Sequence, residues 1–279
     1  MKSMTYKLLV AVVVTTVLFV QGGIASPFFG STPSLETIVI GLKLKTVNPA
    51  DPSVLDFESS INEITNRQYA TFLRMVGRGS DKWFEKYGTE PGKLPARDMT
   101  KGDALAFCGW LTEIARINGL IDQYDQFNLP TDEQWTAIAS ENPGDETGST
   151  PEERMQQARS GAYIHGVEPA PRQTDGNVKR KLDAGNTKGE GFEGDSDGYL
   201  GVAEVGLFRT KNSIFNDVLG NVEEWIREKF SGNNDCTRGG SCETIDLAEL
   251  AISHRKSYAN EHSSPQIGFR IVLEMAPAK

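Results

Sequence analysis

Histidine and cysteine are both scarce, at three each in 279 residues. A zinc centre needs three or four nitrogen and sulfur ligands at coherent spacing, and His165, His254, His262 and the three thiols supply no such pattern. Cationic excess is missing too. With 38 acidic against 29 basic residues the formal net charge is −9, which lacks the basic footprint of a nucleic-acid or anionic-membrane surface. No nucleic-acid partner is expected, and the acidic surface is read as solubility. A nucleophile-elbow motif is also absent, so no Ser/His/Asp triad is indicated. Beyond the first 25 residues no apolar run is long enough to span a membrane.

The remaining composition suits one large domain. Hydrophobic residues make up 38% of the chain, enough for a sizeable core, and 28 glycines with 13 prolines point to many loops. Residues 1–25 read as an export signal: Lys2 and Lys7 are followed by the apolar stretch Leu8 to Val20, with Gly23 and Ala25 as small residues before Ser26. The expected location is periplasmic or secreted after cleavage near Ala25, with a retained N-terminal anchor as the alternative. Residues 26–57 are taken as an extension leading into a domain at 58–279. No segment has the heptads of a coiled coil, so a monomer is expected.

Along the chain, Thr37 to Thr46 alternate like a strand. Thr65 is placed to cap a helix carrying Tyr69, Phe72 and Leu73 on one face. Residues 77–100 read as loop broken by Gly and Pro. A second helix is predicted from Lys101 to Ile117, with Ala104, Phe107, Cys108, Leu111 and Ile114 inward; Cys108 is then a small buried hydrophobe. After Pro130, Thr131 caps a third helix that buries Trp135 and Ile138. Residues 141–200 have little periodicity and much Gly, Asp, Glu, Lys and Asn. Within them Lys179-Arg180-Lys181 reads as a solvated loop face. Cys236 and Cys242, six apart, have the spacing for a bridge across a tight loop.

Several of these stretches, taken in order, resemble the formylglycine-generating enzyme family, the sulfatase-modifying factor domain. They are Glu63-Ile64-Thr65-Asn66 with Tyr69 and Phe72; Asp103-Ala104 with Phe107, Cys108 and Trp110; Leu129-Pro130-Thr131 with Glu133 and Trp135; Asp197-Gly198-Tyr199 with Val205-Gly206 and Phe208; Gly220-Asn221-Val222 with Glu224-Trp225; Arg238-Gly239-Gly240-Ser241; and Gly268-Phe269-Arg270. Asn128 departs from the arginine the family has there. The resemblance covers about residues 58–273 and implies an irregular, loop-rich α/β (α+β) fold related to C-type lectins.

It also implies structural Ca²⁺, a hard cation that takes carboxylate and carbonyl oxygens. By position the first site would use Asp217, Gly220, Val222 and Glu224; the alternative is that Asp217 and Glu224 only cap and solvate the turn before Trp225. That alternative takes the turn as the start of a helix near Trp225. A second site would use Asn177, Val178, Asp197 and Tyr199, with Asn186-Thr187 as a rival pair. The family's oxidase binds copper through two cysteine thiolates beyond the Arg-Gly-Gly-Ser run. Those positions, three and about eight residues past Ser241, hold Thr244 and roughly Glu249 here, so no copper and no formylglycine chemistry by that mechanism are expected. Remaining groove candidates are Ser241, Glu249, His254 and Arg255, with Glu243 beside them. Relatives without the cysteines suggest a binding or regulatory module acting on a periplasmic protein or peptide partner, as in type VI secretion regulators. The alternative is a non-standard oxidoreductase resembling the pyoverdine chromophore maturation proteins, and a formylglycine-generating oxidase stands third. A deep pocket with converging titratable groups would favour the enzyme; a shallow groove lined by Tyr258, Asn260 and Arg255 would favour a partner surface.

Overall fold

Side chains that take up the free amides of the first turn fix where each helix begins. The Gln68 amide donates to the Thr65 hydroxyl and the Thr65 amide donates back to the Gln68 side chain at 2.8 Å, a reciprocal box in front of α1 (Asn66–Met75). Asp81 caps α2 (Lys82–Tyr87). Thr100 and Asp103 repeat the box before α3 (Lys101–Ile117), and Thr131 with Gln134 does so before α4 (Asp132–Ser140). Three of the four are legible in the sequence, α1 and α4 from cap and apolar spacing and α3 from spacing alone. Only α2 falls in the stretch marked as loop, since six residues carry too little periodicity to stand out.

In this computed structural model the described residues are 41–49, 54–79, 81–140, 171–181, 183, 189–210 and 213–276. The expected signal segment therefore lies outside them. Strands β1 (Leu44–Val47), β2 (Phe57–Ser60), β3 (Gln126–Asn128) and β8 (Val272–Glu274) form an antiparallel sheet in the order β1-β2-β8-β3. Strands β4 (Glu223–Ser231), β5 (Asn234–Arg238), β6 (Lys256–Tyr258) and β7 (Ile267–Gly268) form a second sheet, β6-β5-β4-β7, whose β4–β7 pair is parallel. Because β1 pairs along β2 from Leu44↔Ser60 to Val47↔Phe57, the stretch before residue 58 is built into the sheet rather than only leading to it. The expected strand ending at Thr46 is found at Leu44–Val47, with the part before residue 41 outside the described residues.

Strand β4 is buried on both faces at its start, and the two-residue strand period divides its side chains between two cores. Trp225 enters an aromatic cluster with Tyr69, Phe72, Phe107, Trp110 and Phe269, while Ile226 joins Trp135, Phe215, Val218 and Val272. Phe107 meets Phe269 edge-on at 5.4 Å and Phe72 at 5.6 Å, the arrangement that ring quadrupoles favour. A smaller cluster of Val178, Phe192, Leu219 and Leu250 packs the irregular segment after residue 170 against the main body. Among the described residues no helix is long and apolar enough to cross a membrane.

Phe269→Ala, which empties part of a close-packed aromatic cluster, is expected to cost about 3–5 kcal/mol. Thr131→Ala, which removes one cap, is expected to cost about 1 kcal/mol. Urea unfolding of the two variants beside the parent checks the ordering.

Candidate functional site

The turn from Asp217 to Val222 organises one buried end of the site. Asp217, Gly220 and Asn221 take φ of 56°, 79° and 59°, and a Cβ on Gly220 would stand 2.1 Å from the Asn177 carbonyl oxygen. That approach lets the Asn221 amide donate to the Asn177 carbonyl at 2.8 Å. Asn221 Nδ2 donates to Glu63 at 2.6 Å, and Asn221 Oδ1 accepts from Ala203 N and Asn177 Nδ2. Asp217 accepts from the Gly206 and Phe208 amides at 2.5 and 3.2 Å. Glu224 is gripped by Arg270 through Nε at 2.8 and 2.9 Å and Nη2 at 2.7 Å, and by Trp135 Nε1 at 2.8 Å.

Three buried carboxylates, Glu63, Asp217 and Glu224, thus surround one guanidinium. Burial, reinforced by the charges of Asp217 and Glu224, pushes Glu63 well above the usual carboxylate range. Burial likewise lifts Asp217 from an ordinary 3.8 to about 6, against the pull of its two amide donors and Arg270. Among the described residues no group of three or more His, Cys, Asp and Glu is placed to hold a metal ion, so a cation here would have to rest on Asp217 and backbone carbonyls. Glu224 is less available, because Arg270 and Trp135 already fill its lone-pair positions. The alternative reading, a helix start near Trp225 capped and solvated by this pair, is corrected: Trp225 lies in β4, Asp217 holds loop amides, and both carboxylates are buried.

A second centre is a cavity of about 220 Å³ beside the Arg-Gly-Gly-Ser run. Ser241, Thr244 and Glu249 line it together with Glu223, Glu243, Lys256 and Tyr258. Glu223 is buried and accepts from Lys256 Nζ at 2.9 Å, Tyr258 Oη at 2.8 Å and Thr237 Oγ1 at 2.8 Å. Lys256 also reaches Glu249 at 3.4 Å, and Glu243 pairs with Lys179 at 3.1 Å. Burial works against the Lys256 ammonium, but the Glu223 contact outweighs it and holds the group above the ordinary lysine range. Burial and the Glu223 charge both raise the Tyr258 phenol. The Tyr258 ring stacks on His262 at 4.6 Å.

Of the four groove candidates, only Ser241 and Glu249 line this cavity. Arg255 is drawn away to Asp132, which it shares with the buried Arg238 lying 4.5 Å over the Trp135 ring. His254 is absent from the lining, as is Asn260, which accepts from Lys229 on the far side of the hairpin. The expected bridge between Cys236 and Cys242 is not formed: Cys108, Cys236 and Cys242 are all free. Cys236 turns into the core with Trp135 and Ile226, whereas the backbone beyond Gly239 and Gly240 reverses and Cys242 N–H docks on the Asn221 carbonyl. Burial pushes the thiols of Cys236 and Cys242 up to about 11 and about 12.

The residues expected at the second cation site do converge. Asp197 accepts from the amides of Val178 at 3.3 Å and Tyr199 at 3.0 Å, next to Asn177. Burial, with Asp183 nearby, raises its carboxyl. Asn186-Thr187 lies outside the described residues. Arg180 corrects the reading of its charged run as a solvated face. It is 1% exposed, donates to the Arg172 carbonyl and sits among Asp175, Asp183 and Asp197, so its charge is used inside the segment.

The sulfatase-modifying factor enzyme 1-like domain matches residues 14–275. The chain belongs to that family. Solved structures similar to this family domain include CarF, with a TM-score of 0.53 at 16% identity over 83% of this chain and 94% of that one. PvdO from Pseudomonas aeruginosa is similar with a TM-score of 0.51 at 15% identity, over 84% of this chain and 92% of that one. At such identities the likeness is one of mixed α/β fold. No curated protein sequence matches the chain.

Sequence reasoning about the family domain missed Glu223 and Lys256 as cavity residues, and Thr237 as the buried donor behind Glu223. A strand signal for them existed. Lys256 and Tyr258 are two apart on β6, and the register Trp225↔Thr237↔Lys256 carries that face across to β4. With Asp217 and Glu63 raised, the folded state holds protons more tightly than the unfolded chain; the Asp217 contribution is complete below about pH 4 and fades as pH rises through about 6, and Glu63 acts in the same direction. In chelator, the melting midpoint is expected to gain from this term as pH falls from 6 to 4. The same scan on Asp217→Asn, expected to be flatter, checks the assignment.

Proposed function

We propose that the chain is an exported, calcium-stabilised binding module whose cavity beside Ser241 receives a segment of a periplasmic protein partner. What carries the reading is the content of that cavity. Thr244 and Glu249 stand where the family resemblance would put the two copper thiolates, and both line it. The ionisable groups there are already paired, Lys256 with Glu223 and Glu249, and Lys179 with Glu243. Tyr258 is held protonated by burial and by Glu223, to which its one O–H is already given, so it is not placed to act as a base. Cys242, the nearest thiol in sequence, is buried and kept as thiol.

Calcium belongs to the same reading. Asp197 with Asn177, Val178 and Tyr199, and Asp217 with the Gly220 and Val222 carbonyls, are the oxygen groups that would hold it; Glu224 would have to release part of its hold on Arg270 to join. Bound there, the ion would neutralise buried carboxylates and brace loop backbone. A second reading, a maturation enzyme, is favoured by the feature that separates the two: Glu223, Glu249, Lys256 and Tyr258 converge in a single cavity, as an acid–base site would require, and neither Arg255 nor Asn260 of the expected partner groove lines it.

The purified mature chain is expected to contain calcium, to lose several degrees of melting midpoint in chelator, and to take up no stoichiometric copper(I) or iron. It is expected to leave a cysteine-containing sulfatase peptide unconverted by mass spectrometry. A photo-crosslinker at Ile245, exposed on the cavity rim, should give one discrete protein adduct in periplasm. Copper-dependent formylglycine, or stoichiometric iron, would replace the binding reading with an oxidative one.

A further inference from the structure

The cavity beside Ser241 has a size, a wall and a charge that together describe what enters it. Its volume of about 220 Å³ corresponds to about seven liquid-water volumes, room for one long side chain and too little for a folded element. One side is apolar: Ile245, 48% exposed, lies at the rim, and the Tyr258 ring is backed by Trp225 at 5.8 Å. The floor is fixed, because Glu223 is buried and holds Lys256 and Tyr258 in place. Ser241 and Thr244 are likewise fixed, through the Ser241 amide on Thr244 Oγ1 at 2.9 Å. Three carboxylates, Glu223, Glu243 and Glu249, line the space against the single ammonium of Lys256.

The two outer carboxylates are loosely held. Glu249 touches Lys256 only at 3.4 Å, and the Glu243–Lys179 pair is open to solvent, with side chains 45% and 28% exposed. Pairs of this kind contribute little and exchange readily. An incoming cation can take up both without unmaking the buried Glu223 network, while its methylene stem lies along Ile245 and Tyr258. An anion would meet Glu243 and Glu249 at the mouth.

Resting on the binding-module reading, we propose that this cavity is an anchor pocket for a single lysine or arginine side chain of the partner, with Glu243 and Glu249 as the recognising carboxylates. The pocket selects length and charge. The flanking partner sequence is left to contacts outside it.

The probe is the capped pentapeptide Ac-Ala-Ala-Lys-Ala-Ala-NH₂, compared by calorimetry or NMR titration with versions carrying norleucine or glutamate at the centre. The lysine peptide is expected to bind at least about tenfold more tightly than either. Glu243→Gln and Glu249→Gln should each weaken it about fivefold and the double variant more, with unchanged melting. Glu193→Gln, which removes an equal charge at an exposed site, should leave it as it was. Equal binding of the norleucine peptide, no binding of any peptide, or indifference to the double variant would overturn the anchor. The Ile245 crosslink separates the two ideas. An adduct that persists in the double variant defeats the anchor and leaves the binding module standing; no adduct in any variant defeats both.

Discussion

Arg270 and Glu224 form the contact on which the other arrangements depend. Both are buried, and a lone charge in that position would be strongly unfavourable, so each requires the other. The guanidinium does more than neutralise. It also donates to the carbonyls of Ser60 and Asn216, so one side chain joins β2, the turn before β4 and the C-terminal arm. Glu224 in turn fixes the Trp135 indole, which seats α4 against the second sheet. Loss of either charge would leave buried donors or acceptors unmatched in three segments at once.

From this contact the two centres of the site follow in opposite directions. Glu63 and Asn221 extend the network toward the segment after residue 170, through Asn177 and Ala203. Glu223, the immediate neighbour of Glu224, points the other way and becomes the floor of the cavity. Buried charge on one side and a polar cavity on the other are separated by the thickness of a single strand.

Much of this was legible in the sequence because it rests on local chemistry. Thr65 and Thr131 announce their helices through caps, the helix from Lys101 to Ile117 through its apolar spacing, and Trp135 sits in the core that its helix face suggested. The collinear landmarks gave the family, which the match to residues 14–275 bears out. What stayed hidden depends on contacts between distant segments. Arg180 looked solvated because its run is all cationic; Asp175 and Asp183 lie close to it in the chain, but the folding of the segment onto Asp197 and the main body is what buries it. Cys236 and Cys242 looked pairable by separation, yet strand alternation and the left-handed glycines at 239 and 240 direct them apart. Lys256 and Tyr258 carried a two-residue period too short to weigh without the register that sets them beside Glu223.

The alternation of Glu223, Glu224, Trp225 and Ile226 between two faces has a consequence for how this chain can vary in length. A one-residue insertion or deletion between Asp217 and Trp225 would exchange the faces, sending the cavity's floor into the core and the arginine's partner into the cavity. Length change there is therefore barred even where side-chain change is tolerated. The hairpin tip at Gly232 and Asn233 lies past that region, is exposed, and follows register shifts between Trp225 and Ser231. Insertions between related chains should accumulate at that tip while the stretch from Asp217 to Trp225 keeps its count, a fixed ruler next to an adjustable end.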